Sequence, residues 1–233
     1  MLAERMNTFS GSPTSALIAK VAELRAEGKD IISLNVGEPD FGTPDYIKCG
    51  AIKAIVDNFS KYTAGNGIIE LRRLISKKLH EDNNLEYTTD EICATVGAKQ
   101  AIFNSIMALV DPGDEVLLPV PCWVSYTEMI KFAGAKPVFV DVEAETFDLD
   151  IEALEKAVTT PNNPTGAVYS EGTLRKLADL ACKYDFYIIT DEIYEKLIYD
   201  DAKHFSIASI SKDVWNRTLT VNGFSKAYAM TGW

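Results

Sequence analysis

The chain is poor in the residues that build metal and disulfide sites. Its 233 residues include only two histidines, His80 and His204, and four cysteines, Cys49, Cys93, Cys122 and Cys182, none in a C-x-x-C pair. That scarcity excludes a zinc-type ligand set and a disulfide framework, so free thiols and no metal are expected. Basic charge is also short: Lys and Arg number 23 against 34 Asp and Glu, for a net charge of −11. With no basic excess there is no footprint for nucleic acid. No uncharged apolar stretch is long enough to span a membrane. The segment Met1–Ser10 carries Glu4 and Arg5 and lacks the apolar core of a secretory signal, so a cytoplasmic location is expected. Internal repeats and low-complexity tracts are missing as well.

What is present is ordinary globular composition, 47% hydrophobic and 24% charged. Ser15 to Gly28 reads as an amphipathic helix with Leu17, Val21 and Leu24 on one face and Gly28 as its stop. A short strand is predicted at Ile31–Leu34, then helices at Tyr46–Asn58 and Ile68–Glu81. Beyond these the pattern alternates. Strands are predicted near Ile92–Val96, Glu115–Pro119, Pro137–Asp141, Phe186–Thr190 and Thr218–Val221. Helices are predicted at Lys99–Val110, Trp123–Phe132, Ile151–Ala157 and Ser170–Tyr184. Such alternation specifies an α/β fold, a mostly parallel sheet with helices on both faces.

Several junctions of this pattern carry chemistry. Lys226 follows the strand Thr218–Val221 and a glycine-containing turn, at the sheet end where open α/β folds place their ligands. A desolvated lysine there can lose its proton and form a Schiff base with an aldehyde, whereas a lone loop lysine would simply be solvated. Val96-Gly97-Ala98-Lys99-Gln100 opens a helix, and its free amides and dipole suit a phosphate, although small-residue turns also occur without one. Asp191 ends the strand Phe186–Thr190, where a buried carboxylate can keep a pyridine nitrogen protonated; a solvated acidic loop is the alternative. Tyr194 could donate to a ring oxygen. Trp123 could stack on a flat cofactor or be a core tryptophan. Asn163 lies in the turn Pro161–Gly166, which could be any turn.

Taken in order, Asn163-Pro164-Thr165-Gly166, Asp191-x-x-Tyr194, Ser225-Lys226 and Met230-Thr231-Gly232-Trp233 resemble the motifs of class I pyridoxal-phosphate aminotransferases of fold type I. Asn35 to Phe41, Lys61-Tyr62-Thr63 and Gly97-Ala98-Lys99-Gln100 match as well, so the resemblance covers essentially the entire chain and is strongest to the prokaryotic aspartate aminotransferases. It implies pyridoxal 5'-phosphate as cofactor, an L-amino acid and a 2-oxo acid as substrates, and a homodimer. Lys226 would be the catalytic lysine. Asp191 would pair with the ring nitrogen, Asn163 and Tyr194 with the ring 3' oxygen, Trp123 with the ring face. The amides of Ala98 and Lys99 would hold the phosphate, Tyr62 would reach the phosphate of the neighbouring subunit, and Gly37 would line the substrate-carboxylate pocket. Trp123 and Asn163 would also face the substrate. Ser225 matches less well, because the family's phosphate-binding serine often stands where this chain has Gly223.

The resemblance divides the chain into an N-terminal arm with part of a small domain, residues 1–45, and a cofactor-binding large domain, residues 46–233. Two departures accompany it. The family continues past the Thr-Gly-Trp run with a phosphate-gripping arginine and a small domain whose arginine clamps the substrate carboxylate. It also places a strand between the helix beginning at Ile151 and the Asn163 turn, where this chain has only Thr159, Thr160 and Pro161. The 233-residue polypeptide is therefore expected to turn over little substrate. Two other readings share the motifs: a non-catalytic remnant that binds cofactor or a partner subunit, and a fold type I carbon–sulfur lyase.

Overall fold

The structure is a computed structural model, and it describes residues 2–8, 10–11, 13–154 and 167–233, without the side chains of residues 153 and 154. Helices α1 (Pro13–Ala26), α2 (Asp45–Val56) and α3 (Ile69–Asn83) come first. Then α4 (Gly97–Leu109), β1 (Glu115–Val120), α5 (Val124–Phe132) and β2 (Lys136–Asp141) alternate. After α6 (Ile151–Leu154) come α7 (Glu171–Tyr184), β3 (Ile188–Asp191), α8 (Lys212–Asn216), β4 (Thr218–Val221) and the single turn α9 (Phe224–Ala227).

The strands form two parallel pairs. β1 runs beside β2 from Glu115↔Lys136 to Val120↔Asp141, and β3 runs beside β4 from Ile188↔Thr218 to Asp191↔Val221. Among the described residues no strand joins one pair to the other. Helices on opposite faces tie them together instead. Successive residues of a strand point to opposite faces, and Leu117 and Leu118 accordingly enter different cores. Leu118 packs with Ile102 and Ile106 of α4, Met129 and Ile130 of α5, and Val221 of β4. Leu117 packs against Val140 of β2, Ile188 of β3, and Leu174, Leu177 and Ala181 of α7. With Ala178 this last set has the i, i+3, i+4, i+7 spacing that is the inward stripe of an amphipathic helix. Full burial of a leucine such as Leu174 or Leu177 is worth roughly 2 kcal/mol. The core thus has residues of both strand pairs on both faces, and this puts the carboxyl ends of β3 and β4 beside the start of α4.

Three local expectations are overturned. Ile31–Leu34 forms no strand: Ile32 is 87% and Leu34 91% exposed, and no neighbouring chain offers a ladder. Ile92–Val96 is extended but not a strand, its ladder reduced to a single bond from Ala94 N to Asn66 O at 3.0 Å. β-branched residues favour extended backbone, but only a partner makes it a strand. Helix α1 forms as expected, yet it buries none of its residues and Leu17 is exposed. Asn163 and the short 159–161 link lie outside the described residues. No described helix is long and apolar enough to cross a membrane.

Candidate active site

A cavity of about 710 Å³ opens where the ends of β3 and β4 meet the first turn of α4. It is lined by Gly37, Ala98, Lys99, Trp123, Asp191, Tyr194 and Lys226 among others, so seven of the residues singled out from sequence converge. Tyr62 does not join them; its side chain is fully exposed away from the cavity. Asn163 is outside the described residues. Ser225, the weaker match, does line the wall.

Asp191 is the last residue of β3, paired in register with Val221, and is buried. Loss of water raises its carboxyl above the ordinary range, and the neighbouring Glu192 charge adds to this. Two hydrogen bonds work against the rise: Tyr126 Oη donates to Asp191 Oδ2 at 2.7 Å, and Ile193 N donates to Oδ1 at 3.4 Å. Tyr126 is itself held protonated, chiefly by burial and then by the Asp191 charge. Its ring meets Trp123 edge-on at 5.3 Å between centroids. Trp123 precedes α5 and lies under the Lys99 ammonium, 4.7 Å from the ring centre.

Lys226 sits in α9, five residues past the end of β4. It is half-buried, donates to the carbonyl of Gly37, and lies 5.7 Å over the Tyr194 ring. Desolvation lowers its ammonium below the ordinary lysine value, against the opposing charge of Glu38. An amine in that setting gives up its proton more readily than a solvated one. Across the cavity, Gly97 opens α4 with φ +75°, a conformation that favours glycine. The helix has no side-chain cap, so its first-turn amides have no partner within the helix and face an anion well.

Sequence reasoning missed two wall residues. Tyr126 lies 65 positions from the carboxylate it bonds, and nothing local announces such a contact. Asn35 belongs to the quoted Asn35–Phe41 motif, but its role was not legible: its Nδ2 is buried at the cavity wall with no hydrogen-bond partner among the described residues. An unmatched buried donor costs free energy, and a ligand oxygen would relieve it.

The chain can be set beside known proteins on this geometry. Residues 29–233 match the family described as aminotransferase class I and II. The chain belongs to that family. A probable aspartate/prephenate aminotransferase of Aquifex aeolicus is 47% identical over 242 aligned residues, covering 100% of this chain and 61% of that protein. An aspartate aminotransferase of Bacillus sp. is 42% identical across 100% of this chain and 62% of its own length. The solved aspartate aminotransferase from Thermus thermophilus with maleate has a TM-score of 0.95 at 44% identity, covering 100% of this chain and 63% of that one. This aminotransferase-family chain therefore has the fold type I architecture, and it spans about three fifths of the length of the curated relatives it matches. The 242 aligned residues exceed the 233 of the chain, so the Aquifex protein carries residues within the matched span that this chain lacks.

The family depends on pyridoxal phosphate, and the cavity fits that group. An aromatic face, a buried carboxylate, an amine of lowered proton affinity, the uncapped start of helix α4 and an orphaned amide donor together suit such a molecule.

Proposed function

We propose that this chain forms the cofactor-binding part of a pyridoxal-phosphate-dependent aminotransferase that moves an amino group between an L-amino acid and a 2-oxo acid. The observation that carries this reading is the pairing, in one cavity, of buried Asp191 with half-buried Lys226 at the ends of adjacent parallel strands. Pyridoxal phosphate, when bound, supplies an aldehyde that condenses with amines and a ring that draws electrons from the carbon next to the amine.

The residues of this chain divide the remaining work. Lys226, its ammonium destabilised by desolvation, gives up its proton more readily than a solvated lysine and could take and return a proton at the substrate α-carbon. Asp191 keeps a proton on the ring nitrogen, and Tyr126 fixes the carboxylate that does so. Trp123 would cover a ring face, Tyr194 and, as the sequence resemblance implies, Asn163 would bind the 3' oxygen, and the amides of Ala98 and Lys99 would hold the phosphate. Gly37, whose carbonyl accepts from Lys226, lines the substrate side. Residues 1–45 serve as arm and part of a small domain, and residues 46–233 as the large domain. The working form is a cytoplasmic homodimer in which Tyr62 enters the partner's cavity. Its exposed ring and the exposed apolar residues Ile52, Ile55 and Val56 of α2 support that reading.

A second reading, a family member that holds the cofactor but turns over nothing, is favoured by one finding: the relative carries residues within the matched span that this chain lacks. One experiment serves both. The protein is mixed with pyridoxal phosphate, its visible absorbance is recorded, and the adduct is reduced with borohydride and mapped by peptide. Label on Lys226 is the expected result; label on Lys99 or Lys212 alone would overturn the assignment. Label on Lys226 without amino transfer from aspartate, alanine or an aromatic amino acid to 2-oxoglutarate would favour the second reading.

A further inference from the structure

Behind the wall that presents Asp191 lies a largely buried cluster of charged side chains that the proposed chemistry does not use. Glu192, the next residue, is fully buried and turns away from the cavity, and Glu195 is buried beside it. Glu192 Oε1 accepts from Ser206 Oγ at 2.8 Å and from Thr190 Oγ1 at 3.4 Å. Its Oε2 lies 2.9 Å from His204 Nε2 and 3.5 Å from Asn83 Nδ2. Glu195 binds the Lys78 ammonium through Oε1 and accepts from Asn83 Nδ2 at 2.7 Å through Oε2. Lys78 in turn donates to Asn83 Oδ1 at 2.8 Å. Glu192, Glu195 and His204 approach one another closely enough to suggest a metal. Each carboxylate oxygen of the two glutamates already has a side-chain partner, however: Lys78 and Asn83 on Glu195, and Ser206, Thr190, His204 and Asn83 on Glu192.

We propose that Glu192 and Glu195 are positioning residues, which anchor the turn 191–195 from behind so that Asp191 and Tyr194 meet the cofactor ring in one fixed geometry. The inference rests on the proposed function. Ile193 and Tyr194 pack the middle of the turn against the core of α4, α5 and β4, and the cluster adds polar ties at Glu192 and Glu195 on either side of them. Past the end of β3, its main-chain ties include Glu192 N to Val221 O at 2.8 Å, Glu195 N to Glu192 O at 3.1 Å and Leu197 N to Tyr194 O at 2.8 Å. On the cavity side, the Asp191 carboxylate accepts from Tyr126 Oη and from Ile193 N. The cluster fastens the same five residues to α3 through Lys78 and Asn83, and to the 204–206 segment through His204 and Ser206. Buried ion networks are weak stabilisers, since apolar packing of equal volume often does as well. What a fully satisfied network does well is exclude alternative geometries, and a reacting group displaced by about 1 Å can lose on the order of 10²-fold in rate.

The test uses the protein loaded with pyridoxal phosphate carrying ¹⁵N in the ring, whose chemical shift reports protonation of the ring nitrogen. Two variants are compared with the parent protein: Glu192→Gln, which removes a buried charge, and Ser206→Ala, which removes one bond to Glu192 and leaves every charge in place. Cofactor dissociation constants and unfolding midpoints without cofactor are measured alongside. In both variants the ring-nitrogen protonation equilibrium is expected to move by about tenfold, one pKa unit, toward the unprotonated form, with cofactor affinity falling less than that. A lowered unfolding midpoint with an unchanged ¹⁵N shift would overturn the inference and leave the cluster a purely structural feature. If Glu192→Gln fails to fold, Ser206→Ala decides alone, by the same shift. If the parent protein shows no bound ¹⁵N signal, the proposed function itself fails and this inference with it, a result distinct from loss in the variants only.

Discussion

Asp191 illustrates how a single side chain trades stability for chemistry. Burial disfavours its charged form, and the Tyr126 hydroxyl at 2.7 Å only partly restores it. Because the folded state holds the Asp191 proton more tightly than the unfolded chain does, its stabilising contribution is complete below the ordinary value of 3.8. That contribution is lost as pH rises through the elevated folded value. Above it, the ionised carboxylate weighs against folding. Asp191→Asn should therefore raise the melting temperature of the cofactor-free protein, with the gain shrinking to nothing in acid; a pH series of thermal melts measures this. A gain that is flat with pH would contradict the account. In a full-length homologue carrying the same motif, the same change should lower amino transfer by on the order of 10²-fold or more, the usual scale for losing an electrostatic partner of the reacting group. Cofactor capture should fall less, since the α4 amides remain. Asp191 was legible in sequence because it directly follows the apolar run of β3, and Lys226 because it lies in the short glycine-containing turn that follows β4. The Tyr126–Asp191 bond and the unpartnered Asn35 amide were not, since both depend on what folding brings across the cavity.

Among the elements, those that read clearly from sequence are those whose signal is sufficient in itself. Helix α7 has an amphipathic stripe and a capping serine, and the structure shows Ser170 Oγ accepting from Thr173 N at 3.1 Å. Ser170→Ala should cost about 1 kcal/mol and lower the melting temperature by roughly 2–4 °C for a chain of this size; a shift near zero would mean that α7 is held by packing alone. The elements that misread lack a partner rather than a pattern. Ile31–Leu34 and Ile92–Val96 have β-branched composition, but no ladder reaches them. β1 to β4 succeed because a crossover helix brings each beside a parallel neighbour. The sheet's division into two pairs was not legible either, because pairing is a property of the assembled cores in which α4, α5 and α7 clamp both pairs.

At the scale of the whole molecule, the exposed apolar surface supports the proposed homodimer. Helix α2 buries none of its residues, and Tyr46, Ile52, Ile55 and Val56 are each at least 60% exposed. Isolated apolar residues on a surface are ordinary, but a helix with so much of its apolar side uncovered calls for a partner. Tyr62, a short stretch further on, is exposed and lies outside its own chain's cavity. If a second copy covers this face with two-fold symmetry, each cavity takes Lys226 from one protomer and Tyr62 from the other. The consequence is a complementation that no monomer can show. Lys226→Ala alone should form no reducible adduct, and Tyr62→Ala alone should bind pyridoxal phosphate weakly. Unfolded together and refolded as a mixture, half of the dimers pair one chain of each kind. In such a dimer one cavity carries both defects and the other carries neither. About a quarter of all cavities should then bind cofactor with the parent protein's affinity, as read by a titration of visible absorbance. A mixture that merely averages the two defective proteins would show that Tyr62 serves its own chain or none, and the shared-site dimer would have to be given up.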